Sequence, residues 1–152
     1  MRNFLKNDSY IISSIFLLCL LLSNKIVIAD SEAELLYQSG LRWFELANFE
    51  NSIEKLEDAV KLNPENAKYH HILAKSYGRL AEESGWLKAI KLAKKTLEHL
   101  ELAAKLDAEN IEILVDLMKY YQEAPMFLGG STKKANIINE KIKEIKRLDA
   151  LQ

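Results

Sequence analysis

Between Ala33 and Asn66 the chain carries a residue order that leaves little freedom of fold. Taking Ala33 as position 1, Leu36 falls at position 4, Gly40 at 8, Trp43 at 11, Phe49 at 17, Ser52 at 20, Leu56 at 24, Ala59 at 27 and Pro64 at 32. A 34-residue unit of two antiparallel helices needs large, small and helix-starting residues in those places. Small Gly40 and Ala59 let the two helices approach, while Trp43 and Leu56 fill the space between them. Pro64 opens the next helix, where its missing N–H costs nothing. One such unit cannot bury its own apolar face, so the pattern calls for a stack of helical pairs.

The closing phrase of the unit returns. Leu62-Asn63-Pro64-Glu65-Asn66 is matched by Leu106-Asp107-Ala108-Glu109-Asn110, 44 residues on and ten more than one unit needs. Ser84-Gly85 interrupts the helical pattern between them. The surplus therefore lengthens the second helix of that unit, from Trp86 to about Leu106, by almost three turns at ~3.6 residues each. The second unit starts at Ala67 and sets His70, Leu73, Ala74 and Tyr77 at positions 4, 7, 8 and 11. The third starts at Ile111 with Leu114, Leu117, Met118 and Tyr121 in the same places. Its turn is long, Glu123 to Gly130, and its last helix begins at Ser131 or Thr132. There Ala135, Ile138, Ile142, Ile145 and Leu148 recur on one face. The expected fold is all-α, six helices in three pairs, with repeats at 33–66, 67–110 and 111–150. Ser31 with Glu34 reads as a capping box for the first helix. No seventh helix is expected to cover the last one, so Ile137 and Leu151 stay partly exposed and mark a place for self-association.

The first 29 residues have the form of a secretory signal. Arg2 and Lys6 precede an apolar run from Ile11 to Leu22, and Val27-Ile28-Ala29 supplies small residues for cleavage after Ala29. The rival reading is an uncleaved anchor. Against it, the run is followed by Asn24 and Lys25 and is shorter than the ~20 residues a bilayer span requires. Cys19 lies inside the run behind Phe16-Leu17-Leu18, where a lipidated cysteine needs small residues. The domain is then 30–152, without cysteine and indifferent to an oxidising compartment. Losing Arg2, Lys6 and Lys25 against Asp8 makes the formal net charge of −1 two units more negative. Nucleic acid is a poor partner for such a domain, because phosphate binding needs a concentrated basic face.

With these positions filled, the chain resembles the tetratricopeptide repeat (TPR) family. Two stretches are similar to exported TPR proteins of Gram-negative bacteria. One is Leu117 to Ala135, with Tyr120-Tyr121, Ala124-Pro125, Leu128-Gly129-Gly130 and Lys134-Ala135. The other runs from Leu73-Ala74-Lys75-Ser76-Tyr77-Gly78 to Leu92-Ala93-Lys94-Lys95. The departures are Ala108 and Ala150, where those proteins usually carry Pro, which weakens two helix starts. The resemblance implies a short right-handed superhelical array whose first helices line a concave groove. Tyr37, Leu41 and Phe44 make one end of it apolar and aromatic, and His71, Lys75, Arg79 and Lys119 make its centre basic. It implies a non-enzymatic periplasmic or secreted adaptor. An extended peptide with an apolar anchor and an acidic residue or C-terminal carboxylate would complement that groove. The Lys and Asn with which some TPR adaptors clamp a carboxylate are replaced here by Tyr37 and Leu41. The alternative is a self-assembling envelope component that uses the last helix and the 123–130 loop.

Other chemistry finds little support. Gly129-Gly130 before Ser131-Thr132-Lys133-Lys134 lacks P-loop spacing, and the glycines are expected to permit a turn that tucks Met126, Phe127 and Leu128 under the repeat. If those three are exposed instead, they form a contact loop for a partner. His70 and His71 are adjacent and point about 100° apart on a helix, so they cannot share a metal, and His99 stands alone. No metal or cofactor is expected. Ser52-Ile53-Glu54-Lys55 and Ser131-Thr132-Lys133-Lys134 match Ser-x-x-Lys, but the accompanying Ser-Asp-Asn and Lys-Thr-Gly elements are missing. No nucleophile is paired with a base, so no enzyme is expected.

Overall fold

The computed structural model describes residues 30–151, and residue 30 is already helical. The predicted signal segment lies outside the described residues. The first helix, α1, covers 30–45. It is followed by α2 (Phe49–Leu62), α3 (Ala67–Glu82), α4 (Trp86–Leu106), α5 (Ile111–Glu123), a short 3-10 helix (Met126–Leu128) and α6 (Thr132–Asp149). Among the described residues every regular element is helical, so the all-α expectation holds. Ser31 sits within α1 and does not cap it. Its supposed capping partner, Glu34, instead accepts hydrogen bonds from Gln38 (2.7 Å) and from the Tyr69 hydroxyl (3.0 Å).

Asparagine and serine start the other helices. The Asn48 side chain accepts from the Asn51 amide, Asn66 from Lys68, Asn110 from Glu112 and Ile113, and Ser131 from Lys134. The two recurring phrases fold alike. Asn63 (φ −137°, ψ 85°) and Asp107 (φ −131°, ψ 82°) end their helices in one conformation, each donating its amide to an alanine carbonyl four residues back. Pro64 falls in the turn, three residues before α3, so Asn66 and not Pro64 starts that helix. Ala108 fills the matching place, and Asn110 caps two amides of α5.

Consecutive helices run antiparallel and pack closely. A Cβ on Gly40 would lie 2.6 Å from Leu56 Cγ, so only glycine lets α1 and α2 meet here. Ser52, fully buried beside them, donates to the Gly40 carbonyl (2.9 Å) and shares a hydrogen bond with buried Ser76 of α3 (2.8 Å). Two hydroxyls thus tie three helices without leaving an orphaned polar atom. Ala33, Ala59 and Tyr69 form one core, and Phe49, Leu56, Leu73, Tyr77, Leu80 and Leu92 a second. Ala74, Leu100, Leu117, Tyr121 and Ala135 form a third. Trp43, expected beside Leu56 in the core, is half-buried.

One polar trio is built twice. Tyr77 of α3 donates to Glu57 of α2, while Lys95 of α4 donates to both (2.7 and 3.1 Å) and lies over the Tyr77 ring. Tyr121 of α5, Glu101 of α4 and Lys134 of α6 repeat the arrangement. Burial, then the carboxylate, push both tyrosine hydroxyls up to about 12. Burial works to raise Glu57 and Glu101, but the tyrosine and lysine hydrogen bonds outweigh it and hold both low.

Candidate functional site

Glycine and small residues set the floor of a recess between helices. Ala74 and Gly78 of α3, with Thr96 and Leu100 of α4 behind them, open a cavity of about 240 Å³ walled by Phe44 of α1 and Tyr120 of α5. Gly78 differs from Gly40 in its surroundings: a Cβ there would meet Thr96 at 3.6 Å, an ordinary contact. The rim carries Lys75, Arg79 and Lys119 against Glu82, Asp116 and Glu123. A second recess of about 260 Å³ shares Gly78, Thr96, Tyr120 and Glu123 and continues to Pro125 and Leu128. Toward the other end, Tyr37, Lys68, His71, Ile72 and Glu112 border a third of about 280 Å³.

Of the expected groove residues, Phe44, Lys75, Arg79 and Lys119 border the first recess and Tyr37 and His71 the third. Tyr37 is half-buried and stacked on Tyr69 at 4.9 Å, and Leu41 and Phe44 are half-buried. His71 is 5% exposed, and its Nε2 lies 2.8 Å from Asp116 Oδ2, so it joins α3 to α5 and leaves little for a ligand. That hydrogen bond, foremost, and the Lys75 ammonium hold the Asp116 carboxyl below its usual range. Lys75 sits 3.2 Å from Glu112 and 3.9 Å from Asp116. Arg79 pairs with Glu82 on its own helix (2.6 Å) and lies 5.7 Å from the Phe49 ring centre. Lys119 is exposed and makes no ion pair among the described residues. The basic centre read from sequence is thus a mixed one, because each base but Lys119 meets a carboxylate contributed by packing.

His71, Glu112 and Asp116 each bring one ligand atom within 4.8 Å of the others, a donor set a divalent cation could use. Lys75 already supplies the positive charge there. Sequence spacing did not point to this cluster, since its members lie on α3 and α5, up to 45 residues apart. The same blindness applies to His99. It does not stand alone: its Nδ1 is 2.9 Å from His70 Nδ1.

The long turn is held by its own backbone. The Gly130 and Ser131 amides donate to Pro125 and Tyr121 carbonyls, and Gly129 adopts φ 97°, a value glycine alone takes freely. Leu128 is half-buried, and its carbonyl accepts from Tyr120 (3.0 Å). Met126 and Phe127 do not tuck under: they are 88% and 70% exposed, because the glycines turn the chain before their side chains can reach the core. Trp86 and Leu87, which open α4, are also exposed.

α6 ends the set differently from its predecessors. Aligning Lys134 with Lys95 pairs Asn136, Glu140 and Lys143 with Leu97, Glu101 and Ala104 of α4, and these with Ile53, Glu57 and Val60 of α2. On α2 and α4 those residues pack against the following helices. On α6 all three are exposed, and Glu140 pairs with Lys143 (2.7 Å). Ile137 and Leu151 are exposed as expected, and so is Leu148, expected on the apolar face with Ala135 and Ile142 but lying near the end of the helix. No helix of the described residues is long and apolar enough to cross a membrane. No protein-family model matches the chain, and no curated protein matches it.

Proposed function

We propose that this is an exported TPR-type adaptor that holds an extended segment of another protein against its α1–α3–α5 side. The observation that carries the reading is the joined recess over Ala74 and Gly78, walled by Phe44 and Tyr120. An apolar anchor side chain fits between those aromatics. Lys119, which makes no ion pair among the described residues, would meet an acidic residue or a terminal carboxylate at the rim. The twice-built Tyr–Glu–Lys trio and the two matching turns support repeat architecture, and repeats of paired helices make binding surfaces. The periplasm, or further secretion, follows from the form of residues 1–29. The rival self-assembly reading has Met126, Phe127, Ile137 and Leu151 in its favour, and the polar face of α6 against it.

A photo-crosslinking residue at Leu41 or Lys119 of the full chain in cells tests the reading, with Lys94 on α4 as the control position. An adduct with one other protein from the two groove positions only, lost from the Leu41 position when Arg79→Ala and Lys119→Ala are combined, supports the adaptor. Adducts of the chain with itself alone would move the reading to self-assembly.

A further inference from the structure

The chain has three histidines, and two of them share a hydrogen bond that allows only one arrangement of protons. His70 Nε2 lies 2.9 Å from the Pro64 carbonyl oxygen, which can only accept, so that nitrogen keeps its hydrogen. A neutral His70 then offers Nδ1 as an acceptor, and His99 Nδ1 must donate to it across 2.9 Å. The pair lies between α3 and α4, with His70 2% exposed and His99 stacked against Tyr77 at 5.7 Å. We propose that the His70–His99 hydrogen bond is an acid-released latch joining the turn before α3 to the long helix α4.

The chemistry of release is one of proton count. A first added proton can reside on the far nitrogen of His99 and leave the bond intact. A second has no place: both Nδ1 atoms would carry hydrogens aimed at each other, and two imidazolium charges would meet at contact distance. Few groups nearby offset that charge. Glu57 of α2 is committed to Tyr77 and Lys95, and Lys61 of α2 and Lys95 of α4 add positive charge. Glu98 of α4 is the carboxylate left beside the cavity of about 360 Å³ that His99 borders. Burial, and next the neighbouring His70, lower the proton affinity of His99. An unfolded chain takes up a proton at His99 near the ordinary 6.5, whereas the packed ring resists it. Stability contributed by the latch is therefore present above that pH and lost as pH falls below it. Acid thus loosens the turn before α3 from α4.

Nitrogen-15 spectra of the three imidazoles in the purified chain, followed from pH 8 to 4.5, test the latch together with amide hydrogen exchange. The expected result is a nitrogen–nitrogen coupling between His70 and His99 at high pH and two-step uptake of protons. With it goes a loss of protection, corrected for intrinsic rates, of tenfold or more for residues 63–70 and the last turn of α4. His99→Phe keeps the ring against Tyr77 but removes the donor, so protection there becomes independent of pH. Independent titration of His70 and His99 in the unmutated chain would overturn the proposal even if the variant failed to fold. So would protection that stays constant with pH, or that falls equally in His99→Phe.

Discussion

α2 and α4 treat the helix that follows them as core, and α6 does not. Ile53, Glu57 and Val60, and Leu97, Glu101 and Ala104, put an apolar–carboxylate–apolar row against the next helix, and a tyrosine closes each row through its hydroxyl. Asn136, Glu140 and Lys143 keep the carboxylate but replace both apolar neighbours, and Glu140 turns to Lys143 instead. Apolar burial drives stacking at roughly 25 cal/mol per Å², so an exposed polar row offers no gain to a further helix. The rows of α4 and α6 thus differ at two side chains, Asn136 for Leu97 and Lys143 for Ala104.

The largest effect comes from breaking the rows that are used. Leu56→Ala, at a site with no solvent exposure, should cost about 2–5 kcal/mol by denaturant titration. Asn136→Ala on α6 should stay within about 0.5 kcal/mol, as surface changes do. Equal losses would mean that α6 is covered in solution. The converse experiment makes α6 resemble α4. Asn136→Leu with Lys143→Ala should turn a monomer into a concentration-dependent oligomer by sedimentation, and a monomer unchanged at high concentration would show that the row alone does not set stacking.

Smaller effects sharpen the trio. Tyr77→Phe and Tyr121→Phe each remove one hydroxyl bonded to a carboxylate and should cost about 1.5–3 kcal/mol, whereas Glu140→Gln should cost nearly nothing. The tyrosines also predict the alkaline limit. Burial first, and then a neighbouring carboxylate, raise Tyr69, Tyr77 and Tyr121 to about 12. Between the ordinary 10.0 and that value the unfolded chain is the more deprotonated form, so stability falls as pH rises through the window. Melting followed by circular dichroism should show the fall, reduced in the Tyr77→Phe/Tyr121→Phe double variant. The smallest effect contrasts two glycines. Gly78→Ala meets only an ordinary contact and should stabilise by about 0.5–1 kcal/mol, while Gly40→Ala forces Leu56 aside and should destabilise. A destabilising Gly78→Ala would show that the recess floor has less room than its geometry gives.

Much was legible because it is local. The unit starts at Ala67 and Ile111, the start of α6 after Ser131, the start and length of α4, and the place of Gly40 all follow from residues within one helical turn or one repeat of each other. Where local reasoning reached too far it failed for identifiable reasons. Pro64 was given a helix start that Asn66 holds, and Ser31 a cap within a helix already running. Met126 and Phe127 were given a burial that the turn at Gly129-Gly130 denies them.

By itself the sequence determined that the chain is helical, where its hairpins turn and which small residues let helices touch, since periodicity and capping act over a few residues. Only the tertiary structure decided which charges meet. Asp116 for His71, His99 for His70, and Glu57 and Glu101 for their tyrosines stand 20 to 45 residues away in sequence. Helix packing picks such partners by angle and offset, quantities to which a periodic pattern is blind. The groove's mixed charge and the histidine latch are both consequences of that packing.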